Sequence, residues 1–232
     1  MKLGLQISSF TWSGGDAAIA GTFADIVRTA DEAGFDSIWL MDHFLQIRSV
    51  GQPEEPMLEG FTALGYAAAL TKRARLGLMV GGIHYREAGL WIKAGTTLDV
   101  LSGGRSYFGI GAAWNEEESR AWGFPMPPLG QRFEMLEETL QLAHQAWTGE
   151  RGAREPFEGV HYQATDPLNS PQSLSRPRPP ILIGGGGERR TLKYVAKYAD
   201  ACNIFGTDVA QLRHKYDVLR GHCEDVGRDY AE

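Results

Sequence analysis

The sequence predicts an α/β fold built on one parallel sheet covered by helices. Short apolar runs alternate with stretches whose apolar residues recur at helical spacing, and the alternation repeats six times. The runs are apolar without a break, as in strands buried on both faces. The composition agrees: 232 residues, 43% apolar and 22% charged, suffice for one sizeable core.

The elements follow in order. "KLGLQI" (2–7) is the first strand, and Ile19, Phe23, Ile26, Val27 and Ala30 stripe a helix that Gly34 is placed to end. "SIWLMD" (37–42) is the second strand, followed by a helix marked by Phe61, Leu64 and Ala68. "RLGLMVG" (75–81) is the third, followed by a helix read from Leu90, Ala94, Leu98 and Leu101 and stopped by "SGG" (102–104). "SYFGIG" (106–111) is the fourth, followed by a helix with Phe133, Leu136, Leu140, Ala143 and Trp147 on one face. "ILIGG" (181–185) and "ACNIFG" (201–206) are the fifth and sixth. Leu192, Val195 and Ala199 mark the helix between them, and Val209, Leu212, Tyr216, Leu219, Cys223 and Val226 stripe the last one. Between 148 and 180 the rhythm breaks. Pro156, Pro167, Pro171, Pro177, Pro179 and Pro180 lie there, and an ordered excursion over one mouth of the sheet is expected.

The net charge of -6, with no basic cluster, argues against nucleic acid or an anionic membrane as partner. No run is long enough to span a bilayer, and "MKLGLQISSFTW" lacks the pattern of a signal peptide. Cys202 and Cys223 are expected as reduced thiols in a cytoplasmic protein. His84, His144, His161, His214 and His222 show no ligand spacing, so no metal site is expected. Glu116, Glu117 and Glu118 are read as solvent-facing residues favouring a helix start, and Trp12, Trp91 and Trp122 as core.

A parallel sheet gathers the carboxyl ends of its strands on one face, where ligands bind. Asp42 and His43 stand at such an end, either as solvated loop residues or as site residues. "GIGAAWNEE" (109–117) ends the fourth strand; Trp114 breaks a dinucleotide fingerprint, and its glycines mark a tight turn or a close approach to the backbone. "IGGGGERR" (183–190) ends the fifth: either an anion site of bare N–H groups at a helix start, with Arg189, Arg190 and Lys193 adding charge, or a flexible loop before a solvated basic face.

"FDSIWLMDHF", "EPMLEGF", "ARLGLMVGG", "TTLDVLSGGRSYFGIGAAWNEEE", "LNSPQSLSRPRPPILIGGGGE" and "YADACNIF" together resemble the luciferase-like monooxygenase superfamily, and within it the branch using the deazaflavin coenzyme F-420. The resemblance implies a (β/α)8 TIM-barrel-type fold, here incomplete at about six βα units with an insertion at 148–180. One domain, 1–232, lacking the last two units, is expected, as a piece of a longer protein rather than a chain whose gap a partner covers. By resemblance Asp42 binds the deazaflavin and His43 sits near its reactive carbon. Met79 and Val80 carry a non-proline cis peptide behind the ring; Gly111, Ala112 and Asn115 border the cofactor; Gly184, Gly185, Gly186 and Gly187 hold its phosphate. The sugar-phosphate dehydrogenase branch has a glutamate proton donor where Ala112 stands, so that chemistry is not implied. The expected function is hydride transfer between F-420 and a small organic substrate, with His43 as the acid–base group and a homodimer as the assembly. The alternatives are an FMN-dependent monooxygenase using molecular oxygen and a non-catalytic flavin-binding protein.

Overall fold

The computed structural model describes residues 2–206 and 208–231. In chain order the elements are β1 (Gly4–Ile7), α1 (Ile19–Glu32), β2 (Ser37–Leu40), α2 (Gly60–Leu70), β3 (Arg75–Leu78), β4 (Gly81–Gly82), α3 (Ala88–Leu101), β5 (Ser106–Gly111), α4 (Glu116–Trp122), α5 (Leu129–Ala146), β6 (Phe157–Glu158), β7 (Gln163–Ala164), β8 (Ile181–Gly184), α6 (Thr191–Tyr198), β9 (Ala201–Asn203) and α7 (Val209–Asp225). Six parallel strands form a curled sheet in the order β1-β2-β3-β5-β8-β9, with β4 extending the β3 side along β5. Registers such as Ile7↔Leu40↔Leu78 and Gly184↔Asn203 bring the carboxyl ends level. The result is a half-barrel: β1 and β9 end the strand order and are not paired to each other.

Local chemistry explains the boundaries. α1 ends where Gly34 takes a left-handed φ of 85°. The Phe35 N–H then reaches Ala30 O and the Gly34 N–H reaches Asp31 O, the double bond of a Schellman turn. All four residues of β2 are buried, matching its unbroken apolar run. Gly95 of α3 is required by packing, since a Cβ there would lie 2.8 Å from the Phe108 ring. Trp91, Phe108 and Trp147 then meet edge to face at 6.2 and 5.1 Å, joining α3, β5 and the end of α5.

Two helix faces depart from the stripes read in the sequence. α3 buries Trp91, Ile92, Gly95 and Leu98 and leaves Leu90 and Leu101 exposed. α7 buries Leu219 and Cys223, while Val209, Tyr216 and Val226 are exposed. In both, the apolar positions were dense enough to define a helix but not which arc meets the sheet. Of α4 the sequence reading gave only a helix start at Glu116, Glu117 and Glu118, and its Trp122 is 60% exposed rather than core. No helix among the described residues is long and apolar enough to cross a membrane.

The 148–180 excursion is ordered by buried acceptors. Asp99, fully buried on α3, accepts from Leu174 N (2.6 Å), Ser175 N (2.9 Å), Ser175 Oγ (2.7 Å) and Ser106 Oγ (3.0 Å). Glu138 of α5 accepts from Val160, His161 and Tyr162 N–H groups at the β6–β7 hairpin. Ser106 begins β5, so Asp99 ties the excursion to the amino-terminal mouth of the sheet. Asp99→Ala strands these donors. We expect a loss of about 3 kcal/mol in urea unfolding, with faster amide exchange at Leu174 and Ser175; a loss under about 1 kcal/mol would show that the excursion is held elsewhere.

Candidate active site

At the carboxyl ends of the strands lies a cavity of ≈ 770 Å³. Gln6 of β1, Gly111 of β5, Gly184 of β8 and Asn203 of β9 line it, with Met41 and Val80 just past the ends of β2 and β3. Every site residue expected from the sequence lines it: Asp42, His43, Met79, Val80, Gly111, Ala112, Asn115, Gly184, Gly185, Gly186 and Gly187. Nothing from 148–180 does. Among the described residues no group of three or more His, Cys, Asp or Glu side chains is placed to hold a metal ion.

The floor is set by missing side chains. The Met79–Val80 peptide is cis, as the resemblance implies. Val80 packs into space left by two glycines: a Cβ on Gly184 would lie 2.4 Å from Val80 Cγ2, and one on Gly111 would lie 3.0 Å from it. Gly109 has a different cause. A Cβ there would sit 1.8 Å from the Leu78 carbonyl oxygen, so the close approach is between neighbouring strands and not from a ligand.

Asp42 is buried, and both its oxygens are engaged. Arg86 donates Nη1 to Oδ2 (2.7 Å) and Nη2 to Oδ1 (2.8 Å), and Gly82 N–H reaches Oδ2 at 3.3 Å. Arg86 also reaches Glu59 Oε1 at 2.5 Å and stacks on Trp91 and Phe61 at 4.6 and 5.2 Å. Glu59 in turn caps α2, accepting from Phe61 and Thr62 N–H groups. Burial pushes the Asp42 carboxyl up, and Arg86 pulls it back. Burial opposes the Arg86 charge, but Asp42 and Glu59 hold its pKa above the usual range.

Behind His43 stands Glu118, which the sequence reading left in solvent; its side chain is 0% exposed. It lies on the inner face of α4, while Glu117 turns outward to pair with Arg48. Glu118 Oε1 faces His43 Nδ1 at 3.0 Å and accepts from the Tyr85 hydroxyl; Oε2 accepts from Phe44 N (2.6 Å) and Leu45 N (2.9 Å). Burial would raise its pKa, but His43, Tyr85 and the Leu45 N–H outweigh this and hold it below the usual carboxylate range. Asn115 caps α4, accepting from Glu118 N at 3.3 Å. Arg132 donates to the Ala112 and Ala113 carbonyls at 2.9 and 2.7 Å, fixing the loop before α4. Arg86, Tyr85, Glu118 and Arg132 were not singled out from the sequence. The Asn115-x-x-Glu118 spacing signals a helix start but says nothing of His43.

The glycine run turns at Gly185, whose φ is 120°. Gly185 N–H bonds Asn203 O at 2.9 Å, while the Gly186 and Gly187 N–H groups have no partner among the described residues. Arg189 and Lys193 are exposed, and Arg190 turns away to Gly130 O and the Phe133 ring. Lys215 of α7 has its Cε 4.0 Å from a Cβ built on Gly186, and its ammonium pairs with Glu188 at 2.5 Å.

His84 adds a pH-dependent element. Its Nε2 lies 2.7 Å from Ser119 Oγ, and its buried Nδ1 has no partner among the described residues. Burial, then the charge of Arg132, depress its pKa from 6.5 to about 4, against the pull of Glu118. The unfolded chain therefore takes up this proton first as pH falls. Stability should drop by up to about 3 kcal/mol between pH 6.5 and pH 4, with no contribution above that window. Urea unfolding across the window should show this component lost in His84→Gln; equal pH slopes in the two proteins would contradict it.

Comparison with known proteins places this geometry. A family model for luciferase-like monooxygenases matches residues 1–232. The chain is 32% identical over 204 residues to an F-420-dependent glucose-6-phosphate dehydrogenase of Kineococcus radiotolerans, covering 86% of this chain and 55% of that one. It is 34% identical over 216 residues to a protein of the same name from Nakamurella multipartita, covering 90% and 60%. The chain thus spans little more than half the length of these relatives. The structure of F-420-dependent tetrahydromethanopterin reductase from Methanopyrus kandleri superposes with a TM-score of 0.78 at 17% identity, over 98% of this chain and 62% of that one, which shows a shared fold. A match over its whole length, on a parallel half-barrel with a cavity at the strands' carboxyl ends, makes the chain a member of the luciferase-like monooxygenase family.

Proposed function

We propose that the chain is an oxidoreductase that moves a hydride between the deazaflavin coenzyme F-420 and a small organic substrate. The observation that carries this reading is that one cavity joins a glycine cradle to an imidazole, with β3 and β5 between them. The relatives named as F-420-dependent dehydrogenases support it. The cradle fits a phosphate-bearing cofactor: two N–H groups are free, and a Cβ on Gly186 would find no atom closer than 3.8 Å. When bound, the deazaflavin supplies the hydride chemistry, and the protein supplies position and exclusion of water.

In this reading Gly184, Gly185, Gly186 and Gly187 hold the phosphate, and Met79 and Val80 back the ring. Gly111, Ala112 and Asn115 border it. Asp42, the cofactor contact that the resemblance implies, lines the same cavity, and with its oxygens bonded to Arg86 it also fixes the turn from which His43 projects. His43 moves the proton that accompanies oxidation or reduction of the substrate. The substrate class is a small organic molecule; with Ala112 where the sugar-phosphate branch has its glutamate, a sugar phosphate is not assigned.

Anaerobic absorbance titration of the purified protein with F-420 and with FMN tests the reading. F-420 should bind in preference. FMN binding alone, with oxygen consumption on reduction, would overturn it. His43→Ala should keep F-420 affinity within a few-fold and lower turnover about 100-fold or more; unchanged turnover would remove His43 from the mechanism.

A further inference from the structure

We infer that Glu118 is the positioning residue of His43: it holds the imidazole as the Nδ1–H tautomer and leaves Nε2 as the proton-exchanging atom of the cavity. The inference deepens the acid–base role proposed for His43 and rests on that reading for its catalytic consequence, though not for the tautomer itself.

Glu118 makes contact with donors only. A carboxylate has no hydrogen to give. Two of its four partners are the backbone N–H groups of Phe44 and Leu45, both on Oε2. The hydroxyl of Tyr85 and Nδ1 of His43 share Oε1. For Nδ1 to bond an ionised oxygen at 3.0 Å it must carry the proton. The other ring nitrogen, Nε2, has no partner among the described residues, and His43 lines the cavity. An imidazole so held presents a lone pair to the cavity when neutral and a proton when charged.

The carboxylate is itself held in place. Its helix starts at the Asn115 cap, and the next residue, Ser119, bonds His84 at 2.7 Å. Trp114 meets the His43 ring edge to face at 5.6 Å, limiting its rotation. Glu118 is therefore a fixed acceptor on a clamped helix, and the ring orientation follows from it.

Glu118→Gln separates this role from simple support of the fold. The amide oxygen takes the Phe44 and Leu45 N–H groups, which need an acceptor. The amide NH2 then faces His43 Nδ1, which can bond it only by accepting, and the ring proton moves to Nε2. The readout is a long-range ¹H–¹⁵N correlation spectrum of histidine-labelled, cofactor-free protein at alkaline pH, with the His43 signal assigned by its loss in His43→Gln. The wild type should show the Nδ1–H tautomer and Glu118→Gln the Nε2–H tautomer. Turnover with F-420 should fall about 100-fold or more with cofactor affinity within a few-fold. An Nε2–H tautomer in the neutral wild type, or an unchanged tautomer in Glu118→Gln, overturns the inference. If Glu118→Gln does not fold, the wild-type tautomer alone decides. The expected tautomers with no hydride transfer would uphold the role of Glu118 in orienting His43 and count against the proposed activity.

Discussion

The buried guanidinium of Arg86 fixes the carboxyl face of this half-barrel. It bonds both oxygens of Asp42 at the end of β2, reaches Glu59 at the N-cap of α2, and lies over Trp91 of α3. Asp42 also takes the N–H of Gly82 in β4. One cation thereby ties together β2, α2, α3 and the turn after β3. Removing either partner of such a buried pair typically costs about 3–5 kcal/mol, because the survivor keeps a desolvated charge. The pair is better read as geometry than as net stabilisation. It sets the direction in which the chain leaves β2, and His43 is the next residue.

The site is built on that fixed edge by two opposite devices. On the β3–β5–β8 side the protein omits side chains: Gly111 and Gly184 make room for Val80, and the glycines after β8 leave bare N–H groups. On the β2 side it adds a buried carboxylate, Glu118, that gathers His43, Tyr85 and the Phe44–Leu45 backbone. The first device suits an anion and a flat ring. The second suits a side chain that must keep one orientation while its protonation changes.

Much of this was legible in the sequence, for physical reasons. Strands buried on both faces leave unbroken apolar runs, and the reading of "SYFGIG" coincides with β5 residue for residue. Glycines and charged groups at the ends of such runs marked the place of the cavity. Four features were not legible. The faces of α3 and α7 were misassigned because Leu90, Leu101 and Val209 are apolar yet exposed, and a stripe of apolar residues does not say which arc is covered. Glu118 was read as solvent-facing because it follows two acidic neighbours that are indeed exposed. His43, Phe44 and Leu45 lie more than seventy residues earlier and Tyr85 lies 33 earlier, and only the fold brings them together around the carboxylate. Arg86 was overlooked likewise, 44 residues from Asp42. Gly109 was read as a tight turn or a close approach to the backbone, and the approach is that of the neighbouring strand, which fills the space a side chain would need.

The central claim is that one cavity holds F-420 with its phosphate on the glycine run and its ring beside His43. A crystal structure of the protein with F-420 bound tests it most directly. The account predicts the phosphate against the backbone of Gly184, Gly185, Gly186 and Gly187, and the ring against Val80 with its reactive carbon toward His43. A phosphate bound elsewhere, or a ring facing away from His43, would contradict it.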